Sequence, residues 1–190
     1  MKRVKKREKL IDVAADLFNR RGYHGAGIDQ IIAESGIAKT TLYRHFDTKV
    51  DLIVAVLQRV DQKYRNELRE YVDKVARQPE DKLLATFDFL DTWFRKPTFY
   101  GCYFVAATAE YGERPNPIAH ESAMHKRLVL AYFEELARAA GLENPSQVAG
   151  EINLLHEGAT SVAHVMNDSD AANKAKVAAA KIIAAAKRRQ

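Results

Sequence analysis

This chain of 190 residues lacks the residues that disulfide bonds, membrane-spanning segments and secretion signals need. Its one cysteine, Cys102, excludes an intramolecular disulfide and a zinc site built from several cysteines. The most apolar stretches, residues 103–109 and 177–186, are far shorter than the run of about 18 uncharged residues that a membrane helix requires. Acidic residues at positions 8, 12 and 16 fall where a signal peptide is apolar. We therefore expect a soluble protein of the cytoplasm, without contact with a membrane.

Residue groups that would bind a metal, hold a phosphate group or form a covalent intermediate are also scarce. His120 and His125 are one residue too far apart for the i, i+4 histidine pair of a metalloprotease helix. His156 and His164 do not share a helix face. Cys102 has no histidine and Asn or Asp context, and no glycine-rich phosphate loop occurs. We expect no metal, no cofactor and no enzymatic activity.

Positive charge is concentrated at the two ends of the chain. The formal net charge is +5, from 30 Lys and Arg against 25 Asp and Glu. Residues 1–60 carry +5, residues 61–170 carry −6 and residues 171–190 carry +6. Different surfaces of the chain are therefore expected to face different partners, and the acidic middle would be repelled by nucleic acid.

Apolar residues recur at helical spacing along the whole chain, and nowhere do four residues alternate cleanly as in a strand. Gly22 and Gly36 mark helix ends; Asp47 or Thr48 is expected to cap the fourth helix and Asn144 the eighth. The pattern predicts an all-α protein. Its helices are expected at residues 5–20, 28–35, 38–46, 49–77, 79–94, 118–140, 145–166 and 171–185, with a short one between loops at 95–101 and 112–117.

Residues 28–46 have the layout of a helix-turn-helix, with Gly36 at the turn between two short helices. Placing Leu42 and Phe46 on the buried face of the second helix leaves an outward surface that is polar or aromatic throughout. That surface consists of Lys39, Thr40, Thr41, Tyr43, Arg44 and His45. Such side chains bind base edges and phosphates, so the segment predicts binding of double-stranded DNA.

Two basic residues have more specific expected roles. Arg44 points away from the buried face, and an exposed arginine on such a helix commonly binds guanine O6 and N7. Lys49 lies in the first turn of the next helix, where a phosphate oxygen would meet its charge and the helix dipole. Alternatives stay open: a solvated helix face for the charged residues, a packing role for Tyr43, and a solvated tail or a DNA-contacting arm for the basic residues at 2–9.

The same part of the chain resembles the tetracycline-repressor (TetR) family of transcriptional regulators. The resemblance rests on residues 17–23, Ile31, residues 36–39 and residues 41–52. It implies a three-helix DNA-binding domain at residues 1–48. It also implies that the fourth helix joins this domain to a helical ligand-binding and dimerisation domain at residues 49–190. Downstream of about residue 55 the resemblance is one of architecture alone.

By this resemblance the recognition helix falls on residues 38–46. The positions that usually face the groove are Lys39, Thr40, Thr41 and Arg44. Tyr43 and Lys49 match the usual phosphate contacts of the family. Gly27 stands where a threonine commonly caps the second helix and touches phosphate; glycine permits the cap but supplies no side chain.

Aromatic residues cluster in the middle of the chain, with nine of the 17 lying between positions 87 and 111. Phe89 and Trp93 lie off the main apolar stripe of their helix, which indicates a second apolar face that lines a cavity or covers a partner. Core packing remains the alternative for each aromatic. The hypothesis is a pocket for an apolar or aromatic molecule, formed by Phe89, Trp93, Tyr103, Phe104, Tyr111 and His125.

The last two helices carry apolar stripes with small residues in 4-3-4 spacing. Small residues allow close helix approach, and paired stripes fit a symmetric four-helix interface. The expected homodimer interface comprises Val148, Ile152, Leu155, Ala159, Val162, Met166, Ala175, Ala178 and Ile182. The alternative is that these stripes pack only within their own subunit.

These patterns together predict a sequence-specific, ligand-responsive DNA-binding regulator that acts as a homodimer. The family's usual mode implies a repressor that a small apolar or aromatic effector releases from its operator. The alternative is a helical small-molecule-binding protein or metal-dependent enzyme with only non-specific affinity for DNA. A membrane-surface role for the basic tail is disfavoured, because the last helix offers mostly alanine rather than bulky apolar residues.

Overall fold

The computed structural model describes residues 2–113 and 115–187, with side chains from Val4 onward in those ranges. Within them the chain forms helices and no strand, which confirms the all-α prediction. The helices are α1 (Lys2–Arg21), α2 (Ile28–Ser35), α3 (Lys39–Tyr43), α4 (Lys49–Val75), α5 (Pro79–Phe94), α6 (Tyr103–Glu110), α7 (Pro117–Ala139), α8 (Pro145–Met166) and α9 (Ala171–Ala185).

The start of α4 is capped as the sequence predicts. The Thr48 backbone N–H donates to the Asp51 carboxylate at 2.8 Å, and the Asp51 N–H donates back to Thr48 Oγ1 at 3.1 Å. This reciprocal pair satisfies two N–H groups that the first helical turn leaves unpaired. The beginning of α4, and therefore the position of Lys49, is fixed locally.

Two helix ends differ in detail from the prediction. The third helix spans Lys39–Tyr43 rather than residues 38–46; the His45 N–H donates to the Leu42 carbonyl, an i→i−3 bond in place of the α-helical i→i−4 bond. Asn144 is the N-cap residue of α8 as expected, with φ 49°, but its side chain makes no capping bond. Its carbonyl instead accepts the N–H groups of Gln147 and Val148.

The chain divides into two compact units, and each is built from two separate segments. The first unit combines the chain up to Lys63 with Cys102–His125, and the second combines Tyr64–Gly101 with the chain from Lys126 onward. Compactness therefore groups the residues differently from a boundary at residue 48. The predicted functional division into residues 1–48 and 49–190 stays a prediction.

The core of the first unit joins α6 and α7 to the N-terminal helices. Phe104, Ala107 and Ile118 belong to the same buried cluster as Leu42 and Phe46 of the helix-turn-helix. All five are at most 4% exposed. Residues far away in the sequence therefore pack against the buried side of the helix-turn-helix.

The core of the second unit contains a buried histidine. The Thr86 hydroxyl donates to the Leu83 carbonyl at 2.6 Å, so its oxygen accepts from His156 Nε2 at 2.9 Å. The ring centroid of His156 lies 4.4 Å from that of Phe87 and 4.8 Å from that of Phe133. Burial lowers the pKa of His156 to about 3. His156 is therefore a neutral core residue at neutral pH.

Candidate nucleic-acid interface

The turn between α2 and α3 has the backbone that a helix-turn-helix needs. Gly36 adopts φ 64°, a left-handed conformation that glycine accepts without strain, and its N–H donates to the Ile32 carbonyl at 2.9 Å. The buried Ser35 hydroxyl accepts the Ile37 N–H at 3.2 Å. Ile31 and Leu42 are fully buried on the facing sides of the two helices. The short helix α3 is thereby fixed against α2 with its polar face outward.

The side chains predicted to contact DNA lie on this outward face. Lys39, Thr40, Tyr43 and Arg44 are exposed, and Thr41 and His45 are partly exposed. Tyr43 exposes 43% of its surface, which disfavours a packing role. The Arg44 guanidinium has no hydrogen bond or ion pair with any described residue. Its five donors are therefore free for a bidentate contact with a base.

Lys39 is already paired in the absence of DNA. Its ammonium lies 2.9 Å from Asp29 Oδ1, in the first turn of α2. The hydrogen bond and the negative charge of Asp29 raise the pKa of Lys39. Sequence reasoning missed Asp29, since a lysine and an acid ten positions apart are not a recognised pair. This pair tethers Lys39 at the start of α3.

Gly27 is the N-cap residue of α2, with extended backbone angles and no side-chain capping bond. A Cβ added at Gly27 would meet no atom within 4 Å. Neither the backbone angles nor the space for a Cβ therefore requires glycine here. The prediction that this chain lacks a side-chain contact to phosphate at Gly27 stays a prediction.

Lys49 is the first residue of α4 and is partly buried. Burial lowers the pKa of Lys49, and the negative charge of Glu110 opposes that shift. A phosphate oxygen bound here would supply the negative charge that burial makes favourable. This local electrostatic setting supports the predicted phosphate contact.

The basic start of the chain is helical from Lys2 onward. Lys5, Lys6 and Lys9 are exposed on α1, whereas the Arg7 guanidinium lies over the Phe46 ring at 5.4 Å. Arg7 thus has a packing role. The side chains at positions 2 and 3 lie outside the described residues, so the question of a DNA-contacting arm rests on the three lysines.

The turn between α1 and α2 is held by the last residue of α6. The Glu110 carboxylate accepts the Tyr23 N–H at 2.8 Å and the His24 N–H at 2.6 Å. His24 Nε2 lies 3.0 Å from the Glu110 carbonyl oxygen, and the His24 ring stacks on Tyr111 at 4.7 Å between centroids. Sequence reasoning missed Glu110, because its partners are 86 and 87 positions away.

The six residues of the predicted pocket do not lie in one compact unit. Phe89 and Trp93 belong to the second unit, while Tyr103, Phe104, Tyr111 and His125 belong to the first. In the first unit, His125 stacks on Phe104 at 3.7 Å and bonds to Asp61 at 2.8 Å. The Tyr103 carbonyl accepts the Tyr23 hydroxyl at 3.0 Å. These four residues therefore make their contacts within the first unit, and Phe104 belongs to the buried cluster that contains Leu42.

The second apolar face of α5 covers the C-terminal half of α4. Phe89 and Trp93 make edge-to-face contacts with Tyr64 at 5.4 and 5.7 Å, and Trp93 makes another with Phe99 at 5.0 Å. Aromatic packing within one subunit therefore explains why these residues lie off the main stripe. An open groove of about 470 Å³ lies elsewhere in this unit, between the start of α8 and the end of α9. None of the six predicted pocket residues lines it.

The predicted dimer stripe lies largely inside its own subunit. Val148, Ile152 and Ala159 are at most 5% exposed and belong to the core of the second unit, so the expectation that they face another subunit is wrong. The other partly buried members pack against that core: Leu155, Val162, Ala175 and Ile182. Ala178 is also partly buried, whereas Met166 is 70% exposed. The most apolar face of a helix is the one its own chain buries first.

The outward face of α8 carries a different stripe with the same spacing. Leu154, Gly158, Ser161 and Val165 are all exposed, and Leu154 and Val165 expose 71% and 77% of their surfaces. On α9, Val177 is 61% exposed. We call Leu154, Gly158, Ser161 and Val165 the outer stripe. Its two apolar ends flank two small residues, which permits close approach by another helix.

Within residues 2–113 and 115–187, no three His, Cys, Asp or Glu side chains are placed to hold a metal ion. None of the helices in these ranges is long and apolar enough to span a bilayer.

Comparisons with known proteins agree with this geometry. The model of the family described as "Bacterial regulatory proteins, tetR family" matches residues 10–56. The HTH-type transcriptional activator FasR of Mycolicibacterium smegmatis is 32% identical over 74% of this chain, and the HTH-type transcriptional regulator LmrA of Bacillus subtilis is 40% identical over 37% of it. The chain spans 63% and 34% of the lengths of these relatives. The crystal structure of SCO4454, a TetR-family transcriptional regulator from Streptomyces coelicolor, superposes with a TM-score of 0.90 at 25% identity, covering 97% of each chain.

Proposed function

We propose that this chain, whose residues 10–56 match the model of the tetR family of bacterial regulatory proteins, regulates transcription by binding a specific DNA sequence. The observation that carries the proposal is α3, a helix fixed by a buried core with an outward face of polar and aromatic side chains. Arg44 follows directly after it, and its guanidinium pairs with no residue that the structure describes. The relatives are regulators rather than enzymes, which supports a role without catalysis.

Selection of duplexes from a random-sequence library by the purified chain tests this proposal directly. A specific regulator enriches one motif and binds it more tightly than random DNA by about 10³-fold or more. Its affinity also falls steeply with salt, because bound phosphates release counterions. Enrichment of no motif, with equal affinity for all duplexes, would instead favour the alternative of a helical protein with non-specific DNA affinity.

Arg44→Ala is expected to weaken binding to the selected duplex by about 1–3 kcal/mol and to relax base preference at one position per half-site. Lys49→Ala should weaken selected and random duplexes alike and reduce the salt slope by about 1, because a phosphate contact carries no sequence information. Both effects are measured by fluorescence anisotropy over a series of salt concentrations. Arg95→Ala, which removes an exposed arginine of α5's C-terminal end, is the control. An unchanged base preference in Arg44→Ala would remove Arg44 from the readout.

The proposal includes a homodimer whose subunits meet through the outer stripe of α8. Exposed apolar side chains at Leu154 and Val165, with Gly158 and Ser161 between them, support this assignment. A two-fold dimer would present two copies of α3 to half-sites about 34–36 Å apart on one face of DNA. Dimers are usual in the family, and this face takes the place of the buried stripe as the proposed interface.

The proposal further includes a small apolar or aromatic effector and repression as the mode of action. Trp93 is the only tryptophan and lies in the aromatic cluster of the second unit, so its fluorescence reports on that cluster. An effector that binds there is expected to quench Trp93 and to weaken binding to the selected duplex. Hydrophobic and aromatic compounds that change neither signal would contradict the pocket.

The sign of regulation has its own test. Repression is the usual mode of the family, while the relative from Mycolicibacterium smegmatis is an activator. A reporter gene placed behind the selected sequence should fall in expression when this chain is present. A rise in expression would make the chain an activator and leave DNA recognition unaffected.

A further inference from the structure

We propose that Glu110 is a positioning residue for DNA recognition: its carboxylate holds the α1–α2 turn so that α2 and α3 meet the duplex in register. This inference rests on the proposed function. Its basis is the pair of backbone hydrogen bonds, at 2.8 and 2.6 Å, that joins the last residue of α6 to the backbone of Tyr23 and His24.

The stability of α6 does not explain a glutamate at this position. Glu110 is the last residue of α6, where the helix dipole is negative, and its partners follow directly after the end of α1, where the dipole is also negative. A neutral or basic residue would suit either helix end better. What the carboxylate does satisfy is two N–H donors of the turn, through charge-assisted hydrogen bonds.

The turn is shaped to admit this carboxylate. Gly22 adopts φ 76°, and a Cβ added to it would lie 2.8 Å from Glu110 Oε1. Glycine accepts this φ without strain and leaves space for the carboxylate where it lies. The Gly22 carbonyl then accepts the Ala26 N–H at 3.3 Å, and Ala26 is followed by Gly27 at the start of α2. The carboxylate thus acts on the backbone that sets where α2 begins.

Other contacts hold α6 near the turn without fixing its backbone direction. The Tyr23 hydroxyl donates to the Tyr103 carbonyl, and its ring stacks on Phe18 at 4.9 Å. The His24 ring stacks on Tyr111. These contacts do not involve the Glu110 side chain, so they remain when it is removed. The first unit is therefore expected to stay folded in Glu110 variants while the α1–α2 turn loses its restraint.

The negative charge of Glu110 also acts on Lys49, a predicted phosphate contact. The two possible roles of the carboxylate therefore predict opposite changes in DNA affinity when it is removed. If the carboxylate mattered only as a charge near Lys49, then removing it would tighten DNA binding, because a competitor of the phosphate is lost. If it positions the turn, then removing it weakens recognition. Glu110→Gln removes the whole charge but keeps one acceptor oxygen, so it separates the two effects.

The experiment compares Glu110→Ala and Glu110→Gln with the control Glu113→Ala, which removes the same charge from an exposed loop residue. Affinity is measured for the selected duplex and for a random duplex of equal length at one salt concentration. We expect Glu110→Ala to weaken selected binding about tenfold, the order by which one lost base contact does so. Affinity for the random duplex should stay unchanged. The affinity of Glu110→Gln for the selected duplex should lie between those of Glu110→Ala and the unaltered chain, and the affinity of Glu113→Ala should match that of the unaltered chain.

Hydrogen exchange distinguishes a local loss of restraint at the Tyr23 and His24 amides from a general loss of stability. It should quicken at these two amides in both Glu110 variants, while the circular dichroism spectrum and the exchange of the Leu42 amide stay as they are. Equal losses on both duplexes, faster exchange throughout the first unit or tighter binding would each overturn the inference. If the unaltered chain does not distinguish the two duplexes, the proposed function itself fails. Should Glu110→Ala not fold, Glu110→Gln carries the same test.

Discussion

Leu154→Arg is expected to convert the proposed dimer into a monomer and to weaken binding to the full selected duplex by roughly 10²–10⁴-fold. The effect is large because a dimer binds the second half-site as an intramolecular event, and a monomer loses that gain entirely. Leu154 exposes 71% of its surface in the single subunit, so arginine at this position leaves the subunit core intact. A guanidinium facing its symmetry mate would be desolvated beside a like charge, which opposes association.

Light scattering after size exclusion gives the mass, and anisotropy with full and half-site duplexes gives the affinities. The matched control is Val75→Arg, since Val75 is 51% exposed at the end of α4 and lies outside the outer stripe. Half-site affinity should be the same for both variants. A Leu154→Arg protein that keeps the dimer mass would show that the subunits meet through another surface.

Acid is expected to destabilise the protein through His156 by about 2–3 kcal/mol between pH 7.5 and pH 4.5. In the folded chain burial lowers the pKa of His156 to about 3, while the pKa in the unfolded chain is about 6.5. Between these values the unfolded state binds the proton and the folded state does not, so the free energy of unfolding falls as the pH falls. Above about pH 6.5 both states are neutral and this contribution is constant.

Denaturant titrations at several pH values isolate this contribution by difference. His156→Gln removes the titrating ring and keeps a donor for Thr86. Because the buried ring is lost, the variant is expected to be less stable at pH 7.5, but its free energy of unfolding should fall less on acidification. The gap between the two proteins should close by about 1.4 kcal/mol per pH unit below pH 6.5. His120→Gln, which changes an exposed histidine of α7, controls for the loss of a histidine as such. A gap that does not depend on pH would mean that His156 is protonated inside the fold.

Local signals made most of the fold predictable from the sequence. The cap at Thr48, the turn at Gly36 and the helix start at residue 79 each depend on residues within four positions, and the structure has all three where they were expected. The outward face of α3 followed from Leu42 in the helix and Phe46 just after it, because a helix of little more than one turn has one buried side.

Features that depend on distant partners were not predictable in the same way. The bonds of Glu110 join residues 86 and 87 positions apart, and no periodicity in either segment marks them. For α8, the pattern identified the most apolar stripe but not its partner, and Ile152 turned out to face the core of its own subunit. Phe89 and Trp93 were correctly identified as a second apolar face, while their contact with Tyr64 required the structure.

The first unit is built from two separate segments, and this limits how chimeras of this protein can be made. A chimera made by joining residues 1–48 to the regulatory half of another protein would leave behind Phe104, Ala107 and Ile118, which complete the core beneath Leu42 and Phe46. Exchanging DNA specificity between relatives therefore requires either transplanting the segment Cys102–His125 as well or grafting only the surface residues of α3 onto the recipient's own helix-turn-helix. The proposed DNA-binding unit of this chain therefore consists of two segments, the chain up to Lys63 and Cys102–His125.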